Sequence, residues 1–89
     1  MPNERKETMP ITVQFFSQLR EIVGAAELSL RLAGQTTVGD LLRELYRAHP
    51  GLEKWDGNIL IGVGLEFVGR DYLLQPGDKI AIMPPVQGG

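Results

Sequence analysis

The chain contains no cysteine. Disulfide frameworks, thiolate metal sites, iron-sulfur clusters and cysteine nucleophiles are therefore excluded, and the absence is compatible with a reducing compartment. Histidine is nearly missing too. His49 stands alone before Pro50, so no second imidazole exists to complete a metal site, and its expected role is a polar or charged group at a helix C-terminus. Neither sign of charge is in large excess: nine Lys and Arg against eleven Asp and Glu give a net charge of -2, spread along the chain. No basic face advertises nucleic acid or anionic lipid. No apolar run approaches a membrane span or a signal h-region. The expectations are a cytoplasmic protein with neither a nucleic-acid nor a membrane partner.

What is present is enough for one small core. The 89 residues, 43% of them hydrophobic, suit a single folded domain rather than a disordered segment. Residues 1–9 are expected to form a flexible leader, because Glu4, Arg5, Lys6 and Glu7 carry charge without hydrophobic period. Either Met1 or Met9 could start the native chain. The folded domain is expected over residues 10–83 and an extended tail over 84–89.

From Ile11, the side chains alternate. Ile11, Val13 and Phe15 share one face of a strand, while Phe16 falls on the face that is otherwise polar. Ser17 then stands where it can cap a short helix from Gln18 to Val23, with Gly24 as its stop. Glu27 to Leu32 alternates again, and Gly34-Gln35 ends this second strand. Thr36 or Thr37 caps the main helix, in which Val38, Leu41, Leu42, Leu45 and Tyr46 recur at helical spacing until His49-Pro50-Gly51. Leu52 to Asn58 reads as a polar loop with Trp55 as a lid on the core.

Ile59 to Val63 is too short for a helix and reads as a buried strand, followed by a short stretch with Phe67 and Val68. Gln75-Pro76-Gly77-Asp78 suits a type II turn into a final strand, Lys79 to Met83, with Ile80 and Ile82 inward and Ala81 and Met83 outward. The order predicts an α+β roll of the β-grasp type: a mixed sheet with one main crossing helix and a short helix after the first strand.

Conventional active-site patterns fail. Gly62-Val63-Gly64 lacks the third glycine of a dinucleotide loop, since Phe67 stands there, and no helix opens beyond it. The serines and threonines show no hydrolase elbow, and the carboxylates no acid/base pattern. Two other features remain. The outward apolar residues Phe16, Phe67 and Met83 would form a partner patch if adjacent in space. The end of the chain, Pro84-Pro85-Val86-Gln87-Gly88-Gly89, combines a polyproline stiffener with two residues lacking Cβ. Its six residues reach roughly 20 Å at about 3.3 to 3.6 Å each. Such a tail could present its last carboxylate in a slot too narrow for other residues.

Three stretches carry a family resemblance: Val13-Gln14-Phe15-Phe16-Ser17-Gln18-Leu19-Arg20-Glu21, Thr37-Val38-Gly39-Asp40-Leu41-Leu42, and Leu74-Gln75-Pro76-Gly77-Asp78 onward to Gly89. Together they resemble the MoaD/ThiS family of ubiquitin-like sulfur carriers, and the Phe-Phe and Pro-Pro-Val-x-Gly-Gly signatures are most similar to its molybdopterin synthase branch. Gly64-Leu65-Glu66 departs from the Asn-containing turn of many relatives. The resemblance implies that Gly89 is adenylated by a separate ATP-using enzyme of the ubiquitin-activating type and converted to a thiocarboxylate. It further implies that Pro84, Pro85, Val86, Gln87 and Gly88 insert into the large subunit of molybdopterin synthase, in a heterotetramer, where sulfur passes to a pterin precursor. Phe16, Phe67 and Met83 would meet both partners. No metal or cofactor is expected on this chain. Alternatives stay open: a carrier for thiamine, cysteine or tRNA thiolation, a ubiquitin-like modifier, or a non-catalytic β-grasp interaction module.

Overall fold

Alternation in the first strand decides which side of the sheet becomes the interior. The structure is a computed structural model describing residues 8–85. Its first strand, β1 (Thr8–Phe15), buries Met9, Ile11, Val13 and Phe15. The strand starts earlier than the leader boundary after residue 9 allowed. Met9 continues the same period of two past Pro10, pairs with Leu32 and is 6% exposed, so its side chain gains more from the core than the charge run before it could suggest. Residues 1–7 of that leader lie outside the described residues.

Helix α1 (Gln18–Val23) follows and ends at Gly24, whose left-handed φ of 85° lets its N–H reach the Arg20 carbonyl at 2.8 Å. Ser17 precedes it as expected, but its side chain makes no capping bond. β2 (Glu27–Ala33) returns antiparallel to β1, with Leu28 opposite Val13 and Leu30 opposite Ile11.

α2 (Val38–Ala48) is the crossing helix. Of the two candidate threonines, Thr37 is the cap: its hydroxyl accepts from the Asp40 N–H at 3.2 Å, while the Asp40 carboxylate accepts from the Thr37 N–H at 3.0 Å. This reciprocal box satisfies two donors that the helix itself leaves open. Val38, Leu41, Leu42 and Leu45 form its buried stripe, each large apolar side chain contributing about 1.5 to 3 kcal/mol on removal from water.

The expected loop after α2 is instead a 3₁₀ helix, Pro50–Asn58. Its repeat of three places Leu52 and Trp55 on one side, where Leu52 enters the core and Trp55 packs against it. The polar composition of the other positions hides that two-residue stripe.

β3 (Leu60–Val63), β4 (Glu66–Phe67) and β5 (Lys79–Met83) complete a five-stranded sheet of order β2-β1-β5-β3-β4. Only β1 and β5 run parallel within it. Phe15, Ile82 and Ile61 stand side by side on three strands and are all buried. A slip of one residue would turn this row to solvent, so the burial fixes the register. The turn before β5 closes as expected: Gly77 takes φ 85°, and the Asp78 N–H donates to the Gln75 carbonyl at 3.0 Å. The fold is the α+β β-grasp roll, with helices on one face of a mixed sheet.

Candidate docking face and tail root

The sheet's second face carries the outward residues. Gln14, Ala81, Gly62 and Phe67 are successive neighbours across β1, β5, β3 and β4, and Met83 lies opposite Leu60 one step further along. Phe16 follows β1 beside Met83, since Phe15 pairs with Ile82. The structure thus brings the three predicted patch residues together, with Met83 as the link. Met83 lines one hollow with Phe16, Trp55, Pro84 and Pro85, and another with Phe67, Leu65, Gly62 and Ala81.

Local backbone geometry makes this surface. Ser17 has φ 54°, an uncommon value outside glycine that costs on the order of 1 to 3 kcal/mol. The bend there leaves Phe16 on the open face, 41% exposed, while Leu19 three residues further on is fully buried. Gly62 leaves room for its neighbours: a Cβ on it would stand 3.7 Å from Met83 Cε and 4.0 Å from Ala81 Cβ. Met83 can therefore lean across the strand toward Phe67, which is 69% exposed.

Two further members escaped the sequence. Leu60 was expected inside a buried strand, but only Ile61 and Gly62 of β3 are buried, and Leu60 is exposed opposite Met83. Leu65, at the tip of the β3–β4 turn, is fully exposed. The alternation of β5, carried across its antiparallel partner, held the signal for Leu60. An apolar residue beside a left-handed Gly64 held it for Leu65.

The hollow beside the tail contains no ionisable side chain, being lined by Phe16, Ser17, Gln18, Trp55, Met83, Pro84 and Pro85. Pro84 and Pro85 are half-buried at its rim. Val86, Gln87, Gly88 and Gly89 lie outside the described residues. Among the described residues no group of three or more His, Cys, Asp or Glu could hold a metal ion, and no helix is long and apolar enough to cross a membrane.

A polar cluster elsewhere joins Tyr46, Asp56 and Arg70. The Tyr46 hydroxyl and an Arg70 Nη donate to the same Asp56 oxygen at 2.6 and 2.7 Å. Burial, then the bond to Asp56, pushes the Tyr46 hydroxyl up to about 12. The Tyr46 bond, followed by that from Arg70, holds the Asp56 carboxyl below its ordinary value. A tyrosine kept neutral, with its proton committed to a carboxylate already paired with arginine, is poorly placed as a base or nucleophile. The cluster ties segments together.

The comparisons agree on one family. A model of the ThiS family matches residues 13–89. The molybdopterin synthase sulfur carrier subunit of Homo sapiens is 34% identical over 82 residues, covering 89% of this chain and 93% of that protein. The Escherichia coli K12 protein of the same name is 34% identical over 84 residues, covering 89% and 99%. The crystal structure of small archaeal modifier protein 1 of Haloferax volcanii superposes with a TM-score of 0.77 at 30% identity, covering 88% of this chain and 99% of that one.

Proposed function

Because the chain belongs to the ThiS family, we propose that it is a sulfur carrier that serves molybdopterin synthesis as the small subunit of molybdopterin synthase. The observation that carries this reading is the match to carrier subunits of that enzyme at 34% identity over nearly their whole length. An apolar face without ionisable groups at the tail's root supports it, because such a surface docks and does not catalyse.

A carboxylate is a poor acyl donor. In this reading the Gly89 carboxylate attacks ATP on a separate adenylating enzyme, giving the acyl adenylate and pyrophosphate. A sulfur nucleophile then displaces AMP and leaves a thiocarboxylate. Gly88 and Gly89 keep the acyl carbon open to attack, and Pro84 and Pro85 reduce the entropy lost when the tail is ordered. Val86 and Gln87 complete the inserted segment. The large subunit of molybdopterin synthase receives the tail in a heterotetramer and holds the pterin precursor, to which the sulfur passes. Phe16, Phe67 and Met83 meet the partners. The chain itself needs no cofactor, and the reaction belongs in the cytoplasm.

Intact mass after incubation with an adenylating enzyme, ATP and a sulfur donor tests this. The expected gain is that of one oxygen exchanged for sulfur, and deletion of Gly89 is expected to abolish it. An unchanged gain in the deleted chain would sink the mechanism. The likeness to an archaeal modifier protein favours a second reading, conjugation of Gly89 to a lysine. Lysine-linked adducts under the same conditions, with no thiocarboxylate, would select that reading.

A further inference from the structure

We infer that the Tyr46–Asp56–Arg70 cluster is a positioning clamp for Trp55, setting one wall of the hollow through which the carrier meets its large subunit. The inference rests on the carrier reading above for its partner, but not for its geometry.

Trp55 lies on the 3₁₀ helix, whose hydrogen bonding is intrinsically poor. Its indole lines the hollow with Phe16, Met83, Pro84 and Pro85. The indole Nε1 is buried without a hydrogen-bond partner, so no polar contact of its own fixes the ring. Its place depends on the main chain beneath it.

That main chain is held on both sides. Before Trp55, Leu52 is buried, and Gly51 packs so tightly on α1 that a Cβ there would meet Ile22 Cγ2 at 3.0 Å. Directly after it, Asp56 is gripped twice by Arg70: one guanidinium nitrogen donates to the carboxylate at 2.7 Å and the other to the Asp56 main-chain carbonyl. The Tyr46 hydroxyl reaches the carboxylate from α2 at 2.6 Å. Arg70 is anchored in turn, because its carbonyl accepts the Gly39 N–H at 2.9 Å. A Cβ on Gly39 would stand in van der Waals contact with that oxygen, at 3.4 Å. None of Tyr46, Asp56 or Arg70 lines the hollow, so each acts on it only through Trp55.

Trp55 is the chain's single tryptophan, so its fluorescence reports the wall directly. The test uses the full chain with Arg70→Gln, which loses the charge and the fork, Arg70→Lys, which keeps one charged donor, and Tyr46→Phe, which keeps the ring. The thermal midpoint is measured first, and acrylamide quenching of Trp55 and Kd for the molybdopterin synthase large subunit are then measured well below it. Arg70→Gln is expected to raise quenching, shift emission to longer wavelength and weaken Kd about tenfold, with Arg70→Lys recovering part of each effect. In a Trp55→Phe background, Arg70→Gln is expected to add little further loss.

Unchanged quenching in Arg70→Gln, or a full additional loss of affinity in the Trp55→Phe background, would overturn the clamp. Should Arg70→Gln fail to fold, Tyr46→Phe decides by the same two readings. Absence of binding by the unmodified chain would count against the carrier reading instead, and the quenching comparison would still decide the clamp.

Discussion

Phe67→Ala separates a docking role from a structural one more sharply than any other change on the open face. Phe67 is 69% exposed in the two-residue strand β4. A buried phenylalanine removes about 150 to 250 Å² from water, so roughly 100 to 170 Å² remains for a partner to cover. At about 25 cal/mol per Å² the ceiling is about 2.5 to 4 kcal/mol. Covered area never converts fully into affinity, so a loss of about 1.4 to 2.7 kcal/mol, roughly 10- to 100-fold in Kd, is expected. The part already buried at home is worth about 1 to 2 kcal/mol, a fall of roughly 5 to 15 °C in thermal midpoint. Phe67→Asp is expected to exceed the alanine loss, because an unpaired carboxylate would be desolvated in the complex. Calorimetric titration against the large subunit, beside a melting curve, measures both quantities. Leu73→Ala is the control: Leu73 is equally apolar and 41% exposed, but lines a depression with Met9 and Pro76 away from this face, so Kd should stay unchanged. A Kd within about twofold of the parent for Phe67→Ala, or a collapse of the fold, would refute the assignment.

Leu41→Ala, at a fully buried position of α2, is expected to cost about 2 to 5 kcal/mol in urea unfolding. Thr37→Ala removes half of the capping box and should cost about 1 kcal/mol by the same measurement. Gly77→Ala forces a side chain to φ 85° and should lower stability by about 1 kcal/mol, whereas Gly34→Ala, with open space and no positive φ, should not. For pH, the folded Tyr46 hydroxyl is raised from 10.0 to about 12, so its contribution is complete below pH 10 and is lost as pH climbs through about 12. Asp56 is depressed from 3.8, so its contribution is present above that value and is lost as pH falls below it. Melting curves across pH should show both declines, and Tyr46→Phe should shrink the alkaline one, leaving the share of Tyr72, whose hydroxyl is also raised by desolvation and by the bond to Asp78.

How much was legible follows from how each residue is recognised. The strand faces could be read because burial on one side imposes a period of two: Ile80 and Ile82 went inward, Met83 outward. α2 could be read because its cap, stripe and stop are all local. The 3₁₀ helix could not, since its stripe has only Leu52 and Trp55 and its other anchors, Tyr46 and Arg70, lie 10 and 14 residues from Asp56. Leu60 was misplaced for a related reason. An apolar run names no face by itself, and only pairing with Met83 shows that Leu60 looks outward. The patch of Phe16, Phe67 and Met83 was legible one strand at a time, but its continuity needed the sheet order, in which β5 lies between β1 and β3.

That order has a functional consequence. β5 is a central strand, parallel to β1 and antiparallel to β3, and the tail leaves from its end at Met83. A partner that covers both Phe16 and Phe67 therefore also covers Met83, which lines the hollows of both, at the point where the tail begins. The carrier subunits match this chain at 34% identity and the archaeal modifier at 30%, and the residues around the root offer the test between sulfur transfer and conjugation. On the carrier reading proposed above, they belong to the face that a recipient meets, and a change on that face that spares activation but slows transfer would separate the recipient's surface from the activating enzyme's. Leu65→Ser, at the exposed tip of the β3–β4 turn, is such a change, made in the hollow that Met83 shares with Gly62 and Phe67. It is expected to leave thiocarboxylate formation intact while slowing transfer to the large subunit. Equal loss in both steps would mean that the two partners read the same surface.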